Sequence, residues 1–174
     1  MKRISIIPCI VFCAAAAASG NNSYDFKGVQ IGAPATPEMI RDRLGIECGA
    51  GAPGMLVCNG NVTIAKERAS MNLVIGRTGE VQRIHLSLKP DQFDLVEPEL
   101  IRKFGPPARV ERPAVQNAMG ATFQQTRDVW IGTNGVRVVF ERYAGSIDSS
   151  SLYFSTEADR RLMSGADVDR SGDL

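Results

Sequence analysis

Apolar positions along the chain fall into two periods, and the changes between them outline the fold. Thr36-Pro37-Glu38 has the form of a helix start: a capping hydroxyl, proline at the first helical position, then an acid in the first turn. Met39, Ile40 and Leu44 give this helix one apolar face, and Gly45 is a natural stop. Short strands are predicted over 46–48, 55–58 and 71–75, with a Gly- and Pro-rich link between the first two. Gly76-Arg77-Thr78-Gly79 is a turn signal. Val81–Leu88 then alternates, Ile84, Leu86 and Leu88 opposing Arg83, His85 and Ser87.

A second unit opens at Pro90-Asp91. Phe93, Val96, Leu100, Ile101 and Phe104 recur at helical spacing. Pro98 lacks an N–H and should bend or restart this helix, which Gly105-Pro106-Pro107 ends. Strands are predicted over 109–115, 121–131, 136–143 and 151–155.

Read as one unbroken strand, 121–131 sends Phe123, Val129 and Ile131 to one face and Asp128 and Trp130 to the other. Val136, Val138 and Phe140 oppose Arg137, Glu141 and Tyr143, and Leu152 and Phe154 oppose Ser151 and Tyr153. The polar side of this sheet is therefore expected to carry Trp130, Arg137, Tyr143 and Tyr153, with His85 on the polar face of its own strand. Aromatic and arginine side chains on a polar surface are what protein-binding patches favour.

The two units have the same order, a helix followed by a strand meander. Ile40-Arg41-Asp42-Arg43-Leu44-Gly45 matches Ile101-Arg102-Lys103-Phe104-Gly105 in character. An internal duplication is expected, with pseudo-repeats at about 28–88 and 91–155. The resulting fold class is α+β: an antiparallel sheet with two helices packed on one face, built from two related helix–meander halves.

Three stretches, Ile31 to Gly45, Gly79 to Leu88 and Leu100 to Pro107, resemble the helix–meander modules of SmpA/OmlA-type outer-membrane assembly proteins. They are similar also to the tandem fold of β-lactamase-inhibitor proteins. The resemblance implies a binding or scaffolding protein without an active site. Fold alone does not fix function.

Composition changes the picture in three ways. First, 174 residues with 44% hydrophobic content are enough for one domain with a real core. Lys and Arg number 20 against 19 Asp and Glu, a net charge of +1, which offers nucleic acid no basic stripe.

Second, Lys2 and Arg3 precede an apolar, alanine-rich run that ends in Ser19-Gly20-Asn21-Asn22. This is the layout of a secretory signal peptide over 1–20, ahead of a domain at 21–163. Cys9 follows Pro8 and Cys13 follows Phe12, so neither has the small preceding residue that lipidation requires. A periplasmic or secreted protein is expected, without a transmembrane segment in the mature chain. Cys48 and Cys58 would meet an oxidising compartment and pair.

Third, catalytic chemistry is sparse. The chain has one histidine, His85, without an identifiable nucleophile motif or partnered acid. Two cysteines and one histidine fall short of a zinc set. Asp94, Glu97 and Glu99 read as solvated helix charges. Asp167 to Asp173 copies the start of a calcium loop but lacks the closing acid, and 164–174 is expected to be a disordered polar tail.

The expectation is thus a non-enzymatic binding or inhibitor-like module acting on another protein through its uncovered sheet face. No catalytic residue, metal or cofactor is assigned. A cell-envelope assembly scaffold is the alternative, and an unrecognised hydrolase a third.

Overall fold

The computed structural model describes residues 23–168; the stretch 1–20, expected to be a signal peptide, and residues 169–174 of the expected tail lie outside the described residues. A small hairpin, β1 (Asp25–Phe26) and β2 (Val29–Gln30), precedes α1 (Pro37–Leu44). Then come β3 (Glu47–Ala50), β4 (Leu56–Ile64), β5 (Glu67–Ile75) and β6 (Val81–Leu88). The second stretch runs α2 (Phe93–Phe104), β7 (Arg109–Glu111), β8 (Ala114–Gln116), β9 (Thr122–Gln124), β10 (Arg127–Ile131), β11 (Arg137–Glu141), β12 (Ser150–Ser155) and α3 (Glu157–Val168).

Eight strands form one antiparallel sheet in the order β3-β4-β5-β6-β12-β11-β10-β7, and β8-β9 is a separate hairpin. α1 and α2 each precede four strands of this sheet. The fourth strands of the two sets, β6 and β12, pair along its centre from Ser150↔Leu88 to Ser155↔Arg83.

Both helices start and stop for local reasons. Thr36 Oγ1 accepts a hydrogen bond from the Met39 N–H, and Gly45 closes α1 at φ 68°, a left-handed conformation glycine adopts without steric cost. α2 runs straight through Pro98, which is exposed. Ile40 and Leu44 of α1 bury into the same cluster as Phe93, Val96 and Leu100 of α2, together with Leu73, Ile84, Leu86, Val138, Phe140, Leu152 and Phe154 from the sheet. Both helices thus serve one face, as the pattern predicts.

Four features depart from the expectations. β4 and β5 form a long hairpin through Ile64, where the sequence predicts only short strands. Its turn, Ala65-Lys66, has positive φ at both residues (49° and 68°). That geometry is usually given to Asn-Gly. Gly60 sits within β4 because a Cβ there would lie 2.4 Å from Ile46 Cγ2.

The second departure is the 121–131 strand, which is broken at Gln125–Thr126. The buried Gln125 accepts from the Tyr143 and Thr126 N–H groups and donates to the Tyr143 carbonyl. β10 restarts with the opposite phase, so Trp130 pairs with Val138 and Asp128 with Phe140 on the core side. Trp130 is therefore not on the polar face. It is 1% exposed, its indole N–H donates to the Gly105 carbonyl at 2.8 Å, and its ring meets Phe104. Val129 and Ile131 take the outer side. Phe123 leaves the main sheet and packs edge-on against Tyr143.

Third, Tyr143 lies past the end of β11, where the chain bends away from the sheet. It lines a groove of about 580 Å³ between the β8–β9 turn and the loop before β12.

Fourth, α3 packs across part of the face expected to be uncovered, and it runs through Val168, into the stretch expected to be a tail. Its cap is Thr156, whose hydroxyl accepts from the Asp159 N–H.

Candidate functional site

Strand register sets the side chains of the outer face in rows, because residues paired across neighbouring antiparallel strands share a side. One row reads Val129, Val139, Tyr153, His85, Asn72, Asn59 across β10, β11, β12, β6, β5 and β4. Beside it run Ile131, Arg137, Ser155 and Arg83, and on the other flank Arg127, Glu141, Ser151, Ser87 and Ser70. Of the residues expected on this face, Arg137, Tyr153 and His85 are brought onto it. Trp130 and Tyr143 are not.

α3 reaches the face through Asp159, which is 1% exposed. Arg83 grips this carboxylate with two nitrogens, Nη2 at 2.6 Å and Nε at 3.1 Å from Oδ1, and the Tyr153 hydroxyl donates to Oδ2 at 2.7 Å. Burial, and then the Asp159 hydrogen bond, push the Tyr153 phenol up to about 12. The same carboxylate raises the Arg83 guanidinium above its ordinary range. Tyr153 is thus a half-buried, anchored ring rather than a free aromatic contact. The signal that the sequence offered was Arg83 on the polar side of β6; its acid, 76 residues away, carried none.

His85 is also half-buried. Its Nε2 lies 2.9 Å from Ser151 Oγ, and its ring meets Tyr153 edge-on at 5.8 Å. Burial, and secondarily the Arg83 charge, lower its pKa, so the imidazole is neutral at neutral pH. A serine–histidine contact is the first element of a nucleophilic site, but such a site also needs a group that orients the base. The nearby carboxylate, Asp159, is committed to Arg83 and Tyr153. Among the described residues no cluster of His, Cys, Asp or Glu is set to hold a metal ion.

Toward β11 the face hollows into a concavity of about 280 Å³, walled by Arg127, Arg137, Glu141 and Arg160 over a floor of Val139 and Tyr153. Arg127 is neutralised by Glu111 at 3.0 Å and Glu141 at 2.6 Å. Arg160 is held by neutral oxygens, Ser155 O and Oγ at 3.1 Å and Gly135 O at 2.6 Å. Arg160 lies between the last predicted strand and the expected tail, where no apolar pattern marks it; the docking of α3 brings it to the sheet.

At the sheet's far edge Cys48 and Cys58 are bonded across a directly paired position of β3 and β4, the pair expected to close in an oxidising compartment. No helix among the described residues is long and apolar enough to cross a membrane. Comparison with family models, with curated proteins and with solved structures found no match for this chain.

Proposed function

We propose that this chain is an exported, non-enzymatic binding protein that engages another protein through the outer face of its sheet. The observation that carries this reading is the composition of the part of that face left clear of α3. Asn59, Asn72, Ser70, Ser87 and Ser151 form a lysine-free polar floor beside His85, Tyr153 and Arg137. A solvated sheet face ordinarily carries many charges, whereas the centre of an interface is depleted of them and enriched in Tyr and Arg. The cross-strand disulfide supports residence in an oxidising compartment.

Binding is favoured over catalysis because the serine–histidine pair lacks an orienting acid among the described residues. The test uses Asn72→Glu and Ser87→Glu, which add charge to the face without entering the core. Both should abolish capture of the partner that co-purifies with the wild-type protein from an exported-protein fraction. Arg41→Glu, on the solvent side of α1, should leave capture intact. Equal capture by all three variants would contradict the reading, as would loss of a measurable hydrolytic activity on His85→Ala.

A further inference from the structure

The charges around the outer concavity do not balance, and the imbalance is local. Arg83 is matched by Asp159, while Arg127 and Arg109 share Glu111 and Glu141. Glu157, at the start of α3, is engaged by Arg161. Two cations remain, Arg137 and Arg160, side by side on the concavity wall.

Arg160 makes only the neutral contacts already described. Arg137 has no hydrogen-bond or ion-pair partner among the described residues, and its Nε is sealed from solvent. A buried charged donor without an acceptor is costly, and a second cation beside it adds repulsion. Burial and then the Arg137 charge hold the Arg160 guanidinium below the ordinary arginine range, and the opposing charges of Glu157, Asp159 and Tyr153 do not offset them. Unrelieved local conflicts of this kind concentrate at functional sites.

We propose that Arg137 and Arg160 form the receiving site for a carboxylate on an acidic segment of a partner polypeptide. This rests on the reading of the outer face as a binding surface. A planar guanidinium matches a carboxylate with two parallel N–H donors, and Arg137 lines the concavity together with Arg160. Val139 and the Tyr153 ring supply an apolar floor for the carbon chain that bears the acid.

The concavity is shallow, and Arg137, Glu141, Ser151 and Tyr153 in its lining all remain partly exposed. Pockets for small ligands bury most of their guest. A free small acid would stay half in water here, whereas an acid delivered by a larger body is covered by that body.

The experiment measures binding of a fluorescent hexaglutamate peptide to the folded chain by anisotropy at fixed ionic strength. Inorganic phosphate and glutarate serve as competing free anions. Saturable binding is expected, weakened about tenfold by Arg137→Gln, as for loss of a charge-assisted bidentate contact. Arg137→Lys, which keeps the charge without the fork, should recover only part of it. Arg109→Gln removes the same charge at the exposed sheet edge and should change affinity less than about twofold. An unfolding midpoint near that of wild type certifies each variant as folded. Equal weakening by Arg137→Gln and Arg109→Gln would overturn the proposal, as would absence of saturable binding. So would displacement by phosphate or glutarate at the peptide's own affinity, which would mark a site for free anions. If Asn72→Glu abolishes capture of the natural partner while Arg137→Gln leaves it unchanged, the face binds and the carboxylate site is wrong. If neither affects capture, the reading of the face fails as well.

Discussion

Asp128 faces Glu97 carboxyl to carboxyl between β10 and α2. Asp128 is 0% exposed, and neither of its oxygens receives an N–H or O–H from the rest of the described residues. Burial, then the hydrogen bond and charge of Glu97, push its pKa up to about 7; only Arg112 pulls the other way. The two other acids near this end of α2 are engaged elsewhere. Asp94 pairs with Arg142 and Glu99 with Arg102. Two ionised carboxylates set this close would repel, so burial and the neighbouring Glu97 both favour the protonated form of Asp128.

The folded-state value lies above the unfolded value near 3.9, so the folded chain binds the extra proton between these limits. Its stabilising effect is complete below about pH 4 and is lost as the pH rises through about 7. Asp128→Asn, which can donate to Glu97 without a charge, should raise stability at pH 8 by about 2 kcal/mol and change it little at pH 5. Urea unfolding at the two pH values checks this. An equal effect at both would show that the Asp128 proton is not involved.

Trp130, the single tryptophan, reports the phase of β10 directly. Native fluorescence should be blue-shifted and resistant to acrylamide, and should move to the red on unfolding. Trp130→Ala should cost about 3–5 kcal/mol, as large aromatic truncations in a packed core do. Ready quenching in the native state would return this ring to the surface.

The disulfide closes a short loop, so reduction or Cys58→Ser should cost about 2–3 kcal/mol. Thiol labelling of the denatured, unreduced chain should find neither Cys48 nor Cys58 free. A labelled pair would contradict the bond.

Asp159 ties α3 to the sheet. Asp159→Ala leaves Arg83 without its acid and should destabilise by about 2–4 kcal/mol. Asp159→Asn should bring the Tyr153 titration down from about 12, read as phenolate absorbance against pH. An unmoved titration would assign the whole rise to burial.

The α+β architecture, the two helices on one face, the disulfide and the alternation of β6, β11 and β12 were legible because apolar period, caps and cysteine context agree. The β4–β5 hairpin was not. Asn59-Gly60-Asn61 looks like a turn yet lies mid-strand, where Gly60 yields to Ile46, while the real turn uses Ala65-Lys66. The phase of Trp130 failed at a single break, where a buried Gln125 replaces ladder bonds with side-chain bonds that no apolar pattern records. On the candidate face, β-strand alternation placed Arg137, His85 and Tyr153 correctly. The anchoring of Tyr153 and the cation set beside Arg137 come from Asp159 and Arg160, which reach the sheet only through the tertiary docking of α3.

The measurement closest to the central claim is site-specific photocrosslinking in the cells that make the protein. A photoreactive side chain at Ser70 or Asn59, exposed on the outer face, should yield one discrete adduct with another protein. The same probe at Leu95 or Arg102, exposed on α2, should yield none. Adducts from α2 and silence from the sheet would contradict the account.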